Sequence, residues 1–264
     1  MRTITRLLVL VVVAGLAVAS CKKENDPGND SKSNPVVSMK LVDSPANYDA
    51  VNVEVVSMRV RIDSTWTELA LEDPGIVNLL ELTNGNSLLL VGDTAMTPGT
   101  LTEIRLVLGE NNNVVVDGQS YEMQTPSGQT SGYKIKLDPQ ILEEGKIYNM
   151  VIDFDVSKSV HRTGNGKYML KPVVRGYLEA AVGGIAGVVV PPAGAYYVEA
   201  ANMADTAGTM IDPVTGEFLI GTAMPGSYDV TFFANFGYAD TTVLGVNVLA
   251  GQITQMDTLF MASE

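Results

Sequence analysis

From Val36 onward the chain is built of short runs in which apolar and polar residues alternate, the spacing of strands with one face in a core. Val51, Val53 and Val55 alternate with Asn52 and Glu54, and Met58, Val60 and Ile62 alternate with Arg59, Arg61 and Asp63. The phase slips between these two sets at Val56-Ser57, which predicts a β-bulge. Further strands are expected over 101–108, 114–116, 133–137, 148–154 and 168–178, with turns at Asn112-Asn113, Asp117-Gly118, Pro126-Ser127-Gly128 and Gly164-Asn165-Gly166. Two short stretches, 76–82 and 139–144, read as helical. Gly183-Gly184 marks a break, beyond which strands are expected over 185–190, 195–201, 217–220, 227–234, 241–248 and 252–260. The fold class expected is all-β, with two β-sandwich-like domains over 36–180 and 184–262.

The first 35 residues follow a different pattern. Arg2 and Arg6 precede an unbroken apolar run from Leu7 to Val18, 12 residues long. A bilayer span needs about 20, so the run reads as the core of a signal peptide. It ends in Ala19, Ser20 and Cys21, the one cysteine of the chain. Val18-Ala19-Ser20-Cys21 resembles the bacterial lipobox, which implies a signal peptide over 1–20 that is cut off and a diacylglycerol on Cys21. Residues 21–35 then form a lipidated cysteine and a flexible tether, polar and without hydrophobic period. Two buried acyl chains suffice for stable anchoring. Lys23-Glu24-Asn25-Asp26 resembles the acidic signals that send some Bacteroidetes lipoproteins to the cell surface, so the expected location is the outer membrane, on its surface or periplasmic face.

Charge narrows the partners. The net charge is -13, and loss of Arg2 and Arg6 with the signal leaves 15 basic against 30 acidic residues, or -15. Such a chain repels phosphate backbones, so nucleic acid is not an expected partner, while neutral glycans and proteins are. With a single cysteine there is no disulfide framework, and stability must come from core burial.

Several ordered motifs carry a family resemblance. Asp43-Ser44-Pro45, Tyr48-Asp49, Trp66, Leu79-Leu80, Pro98-Gly99, Ile104-Arg105-Leu106, Pro126-Ser127-Gly128, Ser131-Gly132-Tyr133-Lys134, Asp153-Phe154-Asp155, Ser159 and Leu170-Lys171-Pro172 together resemble domain of unknown function 4382 over roughly 36–179. That resemblance implies a Bacteroidetes lipoprotein and no named activity. In the remainder, Asp212-Pro213-Val214-Thr215-Gly216-Glu217-Phe218 followed by Pro225-Gly226-Ser227-Tyr228 resembles the carboxypeptidase regulatory-like, transthyretin-type sandwich. There the first segment implies a hairpin turn and the second a strand whose tyrosine packs on the core. Pro191-Pro192 departs from that pattern by standing where a longer loop is usual.

Catalytic chemistry finds little to work with. His161 is the one histidine, and Ser157-Lys158-Ser159-Val160-His161-Arg162 reads as a solvated loop. Ser159 and Asp155 could join it in a triad, but no G-x-S-x-G turn is present. One histidine and a lipidated cysteine do not make a zinc site. Asp153 and Asp155 share one face of a strand, which suits structural pairing with Arg105 or Lys171, capping of the following loop, a calcium site, or a glycosidase pair with Glu143 or Glu144. Structural pairing is the expectation, so no cofactor is expected and Ca2+ at Asp153 and Asp155 is the alternative. For a glycan ligand the stacking candidates are Trp66, Tyr121 and Tyr133 in the first domain and Tyr196, Tyr197, Phe236 and Tyr238 in the second, with Trp66 and Tyr133 foremost. The functional expectation is a membrane-anchored, non-enzymatic exported lipoprotein that presents β domains for binding or adhesion to a glycan or protein. A fimbria-associated structural subunit is one alternative and a carboxylate-based hydrolase another.

Overall fold

The computed structural model describes residues 33–125 and 131–263. The signal run, Cys21, most of the tether and the Pro126-Ser127-Gly128 turn lie outside the described residues. The strands are β1 (Val36–Ser44), β2 (Ala50–Ile62), β3 (Thr65–Leu69), β4 (Gly75–Asn78), β5 (Leu88–Ala95), β6 (Gly99–Leu108), β7 (Asn113–Val116), β8 (Gln119–Gln124), β9 (Tyr133–Ile135), β10 (Gln140–Leu142), β11 (Ile147–Asp155), β12 (Val160–Arg162), β13 (Tyr168–Leu170) and β14 (Val174–Leu178). Then come β15 (Gly183–Val190), β16 (Ala195–Ala201), β17 (Thr206–Met210), β18 (Glu217–Ala223), β19 (Gly226–Ala234), β20 (Thr241–Val248), β21 (Ile253–Gln255) and β22 (Leu259–Phe260). The fold is all-β.

Strands β1 to β14 form two sheets. The smaller has the order β14-β11-β1-β5, and its centre is a parallel pair in which Val36 to Ser44 run in register with Ile147 to Asp155. The larger follows β10-β6-β2-β7-β8-β13-β12, with β3 and β4 pairing β2 and β9 pairing β6. The sheets close on one core: Met39, Leu41, Ile152 and Phe154 from the smaller meet Met58, Val60, Ile104 and Leu106 from the larger. In β2 the buried positions are Val51, Val53 and Val55, then Met58, Val60 and Ile62, and the pairing with β6 skips a residue between Val55 and Ser57. The bulge lets both halves of this 13-residue strand face the same core.

The last eight strands make a second sandwich. One sheet centres on β15, flanked by β18 and, in parallel, β21 and β22; the other has the order β17-β16-β19-β20. Its core is separate from the first and packs Ile185, Phe218 and Ile220 against Val198, Tyr228, Val230 and Phe232. Phe218 meets Phe232 edge-on, with ring centroids 5.4 Å apart.

The two cores nevertheless belong to one compact unit of contacts, 33–264. Asn84 bonds both C-terminal sheets: its N–H donates to Thr209 Oγ1 at 3.0 Å, and its Oδ1 accepts from the Leu219 N–H at 2.7 Å. Gly183 and Gly184 open β15 and are buried, so the expected break is a packed strand start. A Cβ on Gly183 would stand 2.3 Å from the Leu249 carbonyl oxygen, which is why glycine is required there.

Several expectations need correction. Residues 76–82 are a strand end followed by a single 3-10 turn (Leu79–Leu82), and 139–144 contain β10, an edge strand on β6, because segments this short take the conformation their neighbours offer. The stretch 168–178 is split into β13 and β14 around Pro172, which has no N–H to donate to a ladder. The stretch 252–260 is likewise two strands, β21 and β22. Strand β17 was not expected at all: Thr-Ala-Gly-Thr-Met is too small and polar to register as a core strand. The Asp212 turn links β17 to β18, which lie in different sheets, so it is a crossing between layers and not a hairpin. Its local chemistry is a side-chain cap, Asp212 Oδ1 accepting the N–H groups of Val214 and Thr215, each at 2.8 Å.

Candidate functional site

The parallel pairing of β1 with β11 brings three carboxylates to one end of the smaller sheet, since Asp43 lies opposite Phe154 and Ser44 opposite Asp155. Each is held by a different partner. Asp153 Oδ2 accepts from Arg175 at 2.9 Å, yet burial keeps its pKa above the ordinary carboxylate value despite that cation. Asp155 caps the one-turn helix α1 (Val156–Ser159), its Oδ1 accepting the Lys158 N–H at 3.1 Å and its Oδ2 pairing with Lys158 Nζ at 2.6 Å. Asp43 Oδ1 accepts the Val156 N–H at 3.1 Å, while its buried Oδ2 has no hydrogen-bond partner. Burial, with Asp153 and Asp155 nearby, drives the Asp43 pKa well upward.

In place of Arg105 or Lys171, the cations paired with Asp153 and Asp155 are Arg175 and Lys158, while the cap that Asp155 makes on α1 is the other structural role expected of these acids. Among the described residues no group of three or more His, Cys, Asp or Glu is arranged to hold a metal ion. A glycosidase pair with Glu143 or Glu144 fails on distance: those residues precede Ile147, and at about 3.3 Å per residue Asp153 lies roughly 20 Å further along β11. Such pairs work at about 5–9.5 Å. Ser159 is buried and its Oγ accepts the Val173 N–H at 2.8 Å, while His161 is exposed on β12, a strand where a loop was expected. They do not form a triad with Asp155, whose oxygens cap α1.

Arg175 extends this arrangement into the second sandwich. Its other terminal nitrogen, Nη1, lies 3.0 Å from Asp205 Oδ1. Asp205 Oδ2 in turn lies 2.9 Å from the Tyr228 hydroxyl and accepts the Met224 N–H at 3.1 Å. Burial acts against the Asp205 carboxylate, but these donors outweigh it and hold its pKa below the usual range. Tyr228 is the tyrosine of Pro225-Gly226-Ser227-Tyr228 and sits fully in the core, as that motif implies. Beside these links a cleft of about 730 Å³ opens between the smaller sheet and the second sandwich, lined by Lys40, Asn84, Asn149, Glu179, Thr209 and Gln252. Lys40 and Glu179 form an ion pair there.

A third arrangement covers the outer face of the larger sheet. Register places Arg61 between Trp66 and Glu103, and Arg59 between Glu68 and Arg105, with Lys134 next in the row. The guanidinium carbons of Arg59, Arg61 and Arg105 lie 5.5, 5.6 and 5.0 Å from the Trp66 ring centroid, within cation–π range. Glu103 is buried beneath them, accepts a hydrogen bond from Arg105 at 2.7 Å, and lies at ion-pair distance from Arg61 (3.3 Å) and Lys134 (3.6 Å). Burial would raise its pKa, but the three cations win and lower it. Trp66, a stacking candidate from the sequence, is half-buried among charges at the start of β3. Glu103 escaped that reading, although Arg59-x-Arg61 and Glu103-x-Arg105 carry the strand period that brings them together.

The other aromatics are scattered. Tyr133 is half-buried on β9 opposite Leu106, and burial raises its pKa. Tyr121 packs against Tyr168 at 5.3 Å and Tyr197 against Phe233 at 5.5 Å. Tyr238 packs on the second core, while Tyr196 and Phe236 are exposed. Cys21 lies outside the described residues.

Comparison with known proteins adds a family. A family model described as "Domain of unknown function (DUF4382)" matches residues 35–172, more than half of the chain, and the chain belongs to that family. No curated protein matches the chain. Among solved structures, similarity is found to a type II cohesin-X-dockerin complex from Acetivibrio cellulolyticus, with 19% identity over 30% of this chain and 57% of that one and a TM-score of 0.24. The TIE protein of Bacillus anthracis matches with 9% identity over 88% of this chain and 35% of that one, TM-score 0.24. A C-terminal fragment of the pilus adhesin SpaC from Lactobacillus rhamnosus GG matches with 10% identity over 86% and 97% of the two chains, TM-score 0.21. This chain thus spans about half and about a third of the first two structures.

Proposed function

We propose that this member of the DUF4382 family is exported, lipidated on Cys21 and held at the outer membrane, where its two sandwiches bind a glycan or protein partner without catalysing a reaction. The observation that carries the reading is the twelve-residue apolar run ending in Val18-Ala19-Ser20-Cys21, followed by a polar tether. The non-enzymatic part is supported by the carboxylates: Glu103, Asp153, Asp155 and Asp205 are each engaged by cations or backbone donors that hold the fold together. Groups so engaged are poor general acids or bases, because moving their proton breaks the contact. The region from Gly183 is read as a transthyretin-type module that adds a second presented surface.

The test is metabolic labelling of growing cells with radioactive palmitate. Label in the wild-type chain that disappears in Cys21→Ala supports the anchor, and an unlabelled, soluble wild-type chain overturns it. Protease shaving of the same intact cells then assigns the face: peptides from residues 36–262 released without lysis place the sandwiches on the surface.

A further inference from the structure

The face carrying Trp66 has a composition unlike the rest of the chain. Four of the 17 Lys and Arg residues, Arg59, Arg61, Arg105 and Lys134, stand together there with two acids, Glu68 and Glu103, in a chain of net charge -13. Among the described residues Arg59 has no carboxylate at ion-pair distance, and Lys134 meets Glu103 only at 3.6 Å with a side chain 67% exposed. Both keep donors free for a ligand.

We propose that this face binds an anionic polysaccharide, with sugar rings against the indole of Trp66 and their carboxylate or sulfate groups on Arg59, Arg105 and Lys134. The proposal rests on the binding role argued above and names its ligand class. Three features select that class. Arg59, Arg105 and Lys134 lie on adjacent strands, so they form a row with a spacing of about 4.8 Å, suited to repeated anions and not to one isolated ion. Arg59 offers a planar guanidinium fork to a carboxylate or sulfate, while Arg105, fixed by Glu103 at 2.7 Å and by the Ser131 carbonyl at 3.0 Å, presents Nη2, and Glu103 holds Arg61 beside it. A polyanion alone would need only cations, whereas a half-buried indole set among them suits a ligand with both an apolar ring face and a charge. The acids elsewhere on the molecule do not forbid this, because charges beyond about 8 Å are largely screened at physiological salt.

The full chain, purified in detergent, is titrated with polygalacturonate, dextran sulfate, neutral dextran and poly-glutamate at low and high salt. Saturable binding of polygalacturonate or dextran sulfate, weakened by salt and absent for neutral dextran, is expected, and the arm that binds tells uronate from sulfate. Arg59→Gln with Lys134→Gln leaves the Arg61 and Arg105 contacts of Glu103 intact and should lower affinity about tenfold or more, and Trp66→Leu should lower it as well. The proposal is overturned by no binding of either acidic polysaccharide at low salt, by variants that bind like the wild type while folded by circular dichroism, or by poly-glutamate binding that Trp66→Leu leaves unchanged. The last result assigns the face to an acidic peptide. Palmitate labelling of Cys21 is independent of all these outcomes, so loss of the ligand class and loss of the anchor are separable.

Discussion

Arg175, on the last strand of the smaller sheet, holds Asp153 of its neighbour strand at 2.9 Å and Asp205 of the second sandwich at 3.0 Å, so one guanidinium ties two separately cored layers. Asp153 is only 1% exposed, and without Arg175 its charge would be buried and unpaired. Removing one partner of a buried ion pair costs about 3–5 kcal/mol. Arg175→Met should therefore lower unfolding free energy by about that amount in urea denaturation. A loss below 1 kcal/mol would mean that solvent reaches both acids.

Tyr228 is the neutral member of the same network. Its hydroxyl lies 2.9 Å from Asp205 and 2.8 Å from the Met224 carbonyl, and its ring fills the second core. Tyr228→Phe preserves the ring but takes one donor from Asp205. The expected cost is about 1–2 kcal/mol, with the fold retained. Because that donor is one of the groups lowering the Asp205 pKa, the variant should also unfold at a higher pH on acidification, which an acid titration followed by tryptophan fluorescence measures.

Asp43 titrates in the opposite direction. Its folded-state pKa lies well above the ordinary carboxylate value, so the stability tied to its protonated form is complete below that ordinary value and is lost as pH rises through the folded-state pKa. Asp43→Asn does not ionise and keeps an oxygen to accept the Val156 N–H. The stability of the variant minus that of the wild type should grow between pH 4 and pH 8 in paired urea unfolding curves. Glu103 and Asp205, whose depressed pKa values make both chains lose stability in acid, cancel in the difference. A difference independent of pH would show that Asp43 ionises freely.

What was legible in the sequence was whatever the period of two encodes. The alternation in β2 and its bulge at Val56-Ser57 follow from local order, because burying one face of a strand fixes its register, whereas the core position of Tyr228 was implied only by the motif resemblance. The sites did not follow, since they are made by pairing between distant strands. Asp153 meets Arg175 and Asp205 meets Arg175 only once β11, β14 and the second sandwich are placed, and nothing near Arg105 or Lys171 in the chain excludes them as partners. Trp66 was legible as a stacking candidate but not as the centre of three guanidiniums, because Arg105 reaches it across β2 from β6.

The glycines give the sharpest contrast between a break and a packed strand. Gly183 begins β15 with its Cα against two backbone oxygens: a Cβ would come 2.3 Å from that of Leu249 and 2.9 Å from that of Gln252. Neither atom can swing away as a side-chain end could. Gly183→Ala must push apart the start of β15 and the turn before β21, and should lower stability by about 2 kcal/mol or more. Gly221, exposed on β18 beside the cleft, has nothing within 4 Å of the same added atom. Gly221→Ala should be neutral or stabilising by about 0.5–1 kcal/mol, since alanine loses less backbone entropy on folding. Thermal melts of the two variants decide the point. If Gly183→Ala melts with the wild type, the segment is a hinge after all and the two cores move independently.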